Sequence, residues 1–261
     1  MTAIAQQASA GAWLRNAGRE VIRAVLATYR KGGQAFQLAP ALVLLAVLPQ
    51  FAQHAYEINA GMFASKEAFR ALQMEPTRWV FGYAKMAGLI AAMLLIARFW
   101  ATGSAWRALL IPPRDLVRLA LLMGVTFAVE YLLNALGKAV PVLSWPTTGL
   151  NLYAQLALFL LLVAALLGDR TLSVRQAFTQ RWAANLFILL LLVAAFTPAA
   201  LLHKATHVSA FGAAEPVVWG IMLFDSLVVG LLAALLGAAV SVGYETAPSW
   251  RGWRRYPTTL S

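Results

Sequence analysis

The sequence predicts an all-α fold: a polytopic membrane helical bundle of six transmembrane helices, accompanied by interfacial amphipathic helices. Three observations predict it. Six stretches of mostly apolar residues recur, at 38–56, 79–100, 116–136, 150–167, 183–202 and 217–242. With a rise of 1.5 Å per residue, a helix of about 20 residues crosses the hydrocarbon core of a bilayer. Only 12% of residues are charged against 61% hydrophobic, about half the charged share of a soluble domain. The basic residues also alternate in density from one connecting segment to the next.

That alternation sets an orientation. With the N-terminus inside, the inner segments hold Arg15, Arg19, Arg23, Arg30, Lys31, Arg98, Arg107, Arg114, Arg118, Arg170, Arg175, Arg181, Arg251, Arg254 and Arg255. The outer loops hold only Lys66, Arg70, Arg78, Lys138 and Lys204. This bias places both termini on the cytoplasmic side. It also explains the net charge of +11 without nucleic acid, which is not expected as a partner. Residues 1–10 lack the basic and apolar regions of a signal peptide. The absence of cysteine excludes disulfides and thiolate metal sites. Compact loops and uninterrupted spans suit a bacterial cell inner membrane.

The chain divides into a disordered N-terminus (1–10), a cytoplasmic amphipathic helix and turn (11–37), a six-helix transmembrane domain (38–242) and a cytoplasmic basic and aromatic tail (243–261). In the first helix Trp13, Ala17, Val21 and Val25 recur every four residues, joined by Leu14, Ile22, Leu26 and Tyr29. Arg15, Arg19 and Arg23 run parallel to them. A helix lying in the membrane interface has this pattern, with its arginines on anionic headgroups. Gly32 and Gly33 are expected to break it. In the tail, Trp250, Arg251, Trp253, Arg254, Arg255 and Tyr256 suit contact with the same headgroups. Membrane lipid is therefore the expected partner, with a membrane protein or a second copy of the chain as further possibilities.

Pro40 opens the first span, and Pro49 should kink it. The loop 57–78 carries Met62, Phe63, Phe69 and Leu72, the stripe of a short surface helix. Pro112-Pro113 breaks the basic connector after the second span. The loop 137–149 is apolar enough to dip into the interface. Residues 169–181 form a second basic amphipathic segment. Pro198 lies in the fifth span as Pro49 lies in the first.

Residues 27–57 and 176–206 share this layout: amphipathic segment, span, proline, histidine. An offset of 149 places Pro49 on Pro198 and His54 on His203. Both spans run from inside to outside, so the pattern is that of a parallel internal duplication. With Ser173-Val174-Arg175-Gln176-Ala177-Phe178 and Arg181-Trp182-Ala183-Ala184-Asn185, this layout resembles the YciC-like bacterial inner-membrane proteins. The resemblance implies about six spans built from duplicated units, and a protein other than a conventional enzyme. It implies no site residues.

Three ionisable residues lie inside spans: Lys85, Glu130 and Asp225. Counted from the outer helix ends, the first two lie ~9 Å deep and Asp225 ~12 Å deep. A charge facing lipid there costs on the order of 2–3 kcal/mol, so the three are expected to face inward and pair. The preferred reading is a structural ion pair of Lys85 with Asp225 or Glu130. The alternative is a proton- or ion-coupled transport site.

The three histidines, His54, His203 and His207, sit at the outer ends of the first and fifth spans. His203 and His207 are spaced i, i+4 on one helix face; His54 and Glu57 are spaced i, i+3. The plainer reading is interfacial polar residues. If duplication brings the ends together, the four could bind zinc or a similar ion. Small residues line one face of the second span (Ala84, Gly88, Ala92) and of the sixth (Gly230, Ala234, Gly237, Ser241), which permits close helix packing. The function expected is non-enzymatic: an accessory or membrane-organising protein, with no cofactor, in lipid or envelope handling. A small transporter and a metal-dependent membrane enzyme are the alternatives.

Overall fold

Helix α10 (Glu215–Thr246) is the hub of the molecule. The computed structural model describes the backbone of residues 3–246 and the side chains of residues 15–181 and 183–246. Arg251, Arg254 and Arg255 lie outside the described residues. The order is α1 (Ala3–Leu38), α2 (Pro40–Asn59), α3 (Lys66–Leu72), α4 (Pro76–Thr102), α5 (Ala105–Leu109), α6 (Pro113–Ala139), α7 (Ser144–Leu167), α8 (Val174–Thr179), α9 (Trp182–Ala210) and α10. No strand occurs among the described residues.

Five helices are long and apolar enough to cross a membrane: α4, α6, α7 with the short 3-10 turn before it, α9 and α10. A sixth span results if α1 and α2, bent by 90° at Ala39, are taken together. The chain is a multi-helix membrane protein. Local chemistry fixes the helix boundaries. Proline sits in the first turn of α2, α4 and α6, where its missing N–H costs no helical bond. Ser65, Ser104 and Ser173 cap α3, α5 and α8 with their hydroxyls. Gly103 and Gly168 end α4 and α7 in the left-handed conformation, which a side chain would strain.

Helix α10 packs against α1, α2, α4 and α9. The small-residue faces serve this packing within the chain. A β-carbon on Gly230 would stand 2.5 Å from Val47 of α2, and one on Gly237 2.6 Å from the Met93 carbonyl of α4. Helix α4 lies equally close to α2. Pro49 leaves the Leu45 carbonyl without its helical partner, and Gly88 of α4 approaches that carbonyl so closely that a β-carbon would fall 2.2 Å from it.

Two sequence expectations for the N-terminal region are corrected. Helix α1 begins at Ala3 and runs through Gly32 and Gly33 to Leu38, the chain turning only at Ala39. Gly32 does not break the helix because it lies against Leu235, where a β-carbon would stand 2.6 Å away. The apolar stripe is also divided. Ala24 is buried with Leu191, Ala195 and Leu235, and Val21 and Val25 pack beside them. Ile22 and Leu26 remain exposed, as do Arg15, Arg19 and Arg23.

The hairpin of α6 and α7 joins the bundle through α7, which packs on α4 and α9. Helix α6 packs chiefly on α7, and its only buried residue among the described residues is Asp115. The hairpin is tied down where α6 begins and α7 ends. Arg98 of α4 donates to the carbonyls of Leu166 and Leu110 at 2.6 and 3.2 Å. Arg118 donates to the Asp169 carbonyl at 2.8 Å, and Tyr244 of α10 to the Asp169 carboxylate at 2.5 Å. Arg170 pairs with Asp115 at 3.2 Å.

Candidate metal centre

The buried face of α2 changes character along its length. Leu42, Val43, Ala46 and Val47 pack in the apolar core, and Gln50, Gln53, His54 and Glu57 continue the same stripe. All four polar residues are at most 2% exposed. Helical periodicity aims them where the apolar residues aim, at α10 and its neighbours. There they meet Asp225, fully buried on α10, and His203, Thr206 and His207 from the last turns of α9.

Asp225 is the focus. His54 Nε2 stands 2.8 Å from its Oδ2 and His207 Nε2 3.8 Å from the same oxygen. His203 Nδ1 lies 2.8 Å from Oδ1, which also accepts from the Thr206 hydroxyl at 2.5 Å. Gln50 Nε2 donates to Oδ2 at 3.1 Å. On the other side of the imidazole, His54 Nδ1 lies 3.0 Å from Glu57 Oε2. Glu57 is held by Arg78 Nε at 2.8 Å and Gln53 Nε2 at 3.0 Å.

These distances constrain the chemistry. When Nδ1 donates to Glu57, a neutral His54 presents a lone pair at Nε2, with the Gln50 amide nitrogen 2.5 Å away on one side of it. That lone pair then faces a carboxylate oxygen 2.8 Å away, and two acceptors at that distance repel. A proton or a metal cation between them resolves the conflict. His207 Nε2 faces the same oxygen, is buried, and has no hydrogen-bond partner. Ligand atoms of His54, His207 and Asp225 all lie within 4.8 Å of one another. Ligands around tetrahedral zinc stand ~3.2–3.6 Å apart, given bonds of ~2.0–2.2 Å, so small ring movements close the set. Glu57 behind His54 supplies the carboxylate–histidine arrangement that orients metal-bound imidazoles.

An aromatic cap closes the end of the site. Phe63 lies 6.4 Å from His54 and 5.9 Å from His207, ring centre to ring centre. Phe69 and Phe211 pack on Phe63 at 6.3 and 6.1 Å. The Phe63 carbonyl accepts from Gly212 N–H at 2.9 Å, tying the loops after α2 and α9 together. His203 remains partly open, with 31% of its side chain exposed.

The structure thus brings together His54, Glu57, His203, His207 and Asp225, which the sequence reading had divided between two sites. The expected pairing of Lys85 with Asp225 or Glu130 does not form. Glu57 and Asp225 pair instead with Arg78 and the histidines. Lys85, half-buried on α4, lies within the electrostatic reach of Glu57 and Asp225 yet makes no ion pair among the described residues. Glu130 is exposed on α6, because that helix lies outside the core. Gln50, Gln53, Arg78 and Thr206 were missed. The signal for the glutamines was the unbroken i, i+3/i+4 stripe of α2. No family model, curated protein or solved structure matches the chain.

Proposed function

We propose that this is a membrane protein that holds a divalent transition-metal cation of the zinc class at the ends of α2, α9 and α10. His54, His207 and Asp225 are the ligands, and Glu57 orients His54. The observation that carries the reading is the buried His207 Nε2, without a hydrogen-bond partner among the described residues, facing the oxygen that His54 Nε2 also faces. A cation satisfies both imidazoles and the carboxylate at once. Three protein ligands with a further position free is the arrangement of reactive zinc centres rather than of closed structural ones. The positive-inside bias puts this centre in the outer half of a bacterial inner membrane with both termini cytoplasmic. The exposed arginines of α1, beside exposed Ile22 and Leu26, support contact with anionic lipid on the inner side. The duplicated layout shared with YciC-like proteins accords with His54 and His203 arriving from corresponding helices.

The test is metal content. Protein purified in mild detergent without chelator, then supplied with zinc, should retain about one equivalent per chain after desalting; His207→Ala and Asp225→Asn should retain little. A second reading rests on His54 standing between two carboxylates. Protonated, it would bridge Glu57 and Asp225 as the titrating group of a proton-coupled transporter. No metal uptake, together with pH-dependent protonation of His54, would favour that reading.

A further inference from the structure

The first turn of α9 carries a polar group that the bundle leaves unmatched. Asn185 is 2% exposed, and its amide oxygen has no hydrogen-bond partner among the described residues. A buried acceptor without a donor is costly. Asn185 also lines an open cavity of about 260 Å³ between α7, α8 and α9. Ala157 and Ala177 form the buried floor beside it, and Leu152, Tyr153 and Leu186 stand exposed at the rim. The Tyr153 hydroxyl does not supply the missing donor, because it donates to the Phe178 carbonyl. A buried water needs two to four polar partners, and the other side chains of the lining are hydrocarbon. The cavity is separate from the metal centre: at 1.5 Å per residue, Asn185 lies ~27 Å along α9 from His203.

We infer that the cavity takes the head of a neutral lipid alcohol, its hydroxyl donating to Asn185 and its alkyl chain leaving past Leu152 and Leu186. The surroundings favour an amphiphile. Helices α7 and α9 are both long and apolar enough to cross a membrane, so a rim of exposed leucines on them opens towards lipid. The size favours the end of a chain: an apolar cavity of about 150 Å³ holds benzene, and this one has room for a hydroxyl and the first methylenes. The lining fixes the charge. Among the described residues no charged side chain lines the cavity, so a carboxylate or an ammonium would enter unpaired at high cost. A hydroxyl brings the one donor that Asn185 lacks. The last torsion of asparagine is soft, so the amide can turn its oxygen to meet it.

The experiment uses the full chain in phosphatidylcholine nanodiscs and a hexadecanol that carries a photoreactive diazirine near its hydroxyl. Matched probes end in a methyl ether, which cannot donate, and in an amine, which donates but is charged. Mass spectrometry maps the cross-linked peptides. The expected result is labelling within 149–157 and 177–186 that unlabelled hexadecanol competes away. It should need about 3- to 10-fold less alcohol than ether, and the amine should label more weakly than the alcohol. Asn185→Leu should erase the difference between alcohol and ether. Gly149→Phe should suppress labelling by both, because a β-carbon there meets nothing within 4 Å and the ring fills the cavity mouth. Equal labelling by alcohol and ether in the parent overturns the inference and leaves a groove coated by ordinary lipid chains; this comparison needs no variant to fold. An alcohol preference that survives Asn185→Leu also overturns it, as do labelling that survives Gly149→Phe, an amine as effective as the alcohol, and a parent whose two segments no probe labels. None of these outcomes depends on whether the chain binds zinc.

Discussion

His54 and Asp225 meet at 2.8 Å although 171 positions separate them in the chain. The contact joins the end of α2 to α10 and sits behind Phe63. Asp225 draws α2 and α9 to one carboxylate, because His203 of α9 bonds its second oxygen. Removing Glu57 should therefore affect the centre indirectly. Glu57→Gln is expected to lower zinc affinity about 10–100-fold while leaving the ligand set intact. His54→Ala should lower it further. Competition with a chromophoric chelator measures both, and equal affinity in Glu57→Gln and the parent would show that Glu57 plays no orienting part.

The spans could be read from composition because a bilayer demands long apolar helices whose backbone bonds are satisfied internally. The stripe of α2 was legible too, since Gln50, Gln53, His54 and Glu57 keep the period of Leu42, Val43, Ala46 and Val47. What could not be read was which spans touch. Depth alone put Lys85, Glu130 and Asp225 at one level, but neighbourhood depends on helix order around α10. Glu130 fell outside because α6 packs chiefly on α7, and nothing in the local sequence of α6 announces that. Arg78, counted with the outer loop, turned out to be the cation on Glu57.

The contact of Gly88 with the Leu45 carbonyl yields a stability prediction. Gly88→Ala would place a methyl 2.2 Å from that oxygen and force α4 away from α2. The expected loss is about 1–3 kcal/mol, read as a lower midpoint of thermal unfolding in detergent. Gly124→Ala, on α6 where a β-carbon meets nothing within 4 Å, is the control and should not lower it. An unchanged midpoint for Gly88→Ala would mean that the two helices are not in this contact.

Glu75 gives a pH prediction outside the spans. The Tyr56 hydroxyl donates to its carboxylate at 2.6 Å and the Arg78 backbone N–H at 2.8 Å. These bonds, the tyrosine's first, hold the carboxyl at about 2, below its ordinary 4.5. A depressed carboxyl contributes stability above its unfolded value and loses it as pH falls through the folded one. The cap of α4 should therefore weaken between about pH 4.5 and 2. Carbon-13 NMR titration of the side-chain carboxyl should show the low value in the parent and a higher one in Tyr56→Phe. Matching titrations would remove Tyr56 as the cause.

Asp225 and Glu130 make the sharpest contrast, since each is an acidic residue within an apolar helix. Asp225 is fully buried among three histidines and Thr206, so its charge organises groups on three helices. Asp225→Asn keeps the size but removes the negative charge that would hold the proposed cation and that accepts from Thr206 and faces His203. It should both abolish zinc retention and destabilise the protein by a few kcal/mol, the cost of leaving buried partners unmatched. Glu130 is exposed on a helix that packs chiefly on α7. Glu130→Gln should leave zinc retention unchanged and alter stability by no more than about 0.5 kcal/mol. Metal analysis and thermal unfolding of the two variants side by side decide the matter. Loss of metal in Glu130→Gln would place α6 against the centre and contradict the helix arrangement described above.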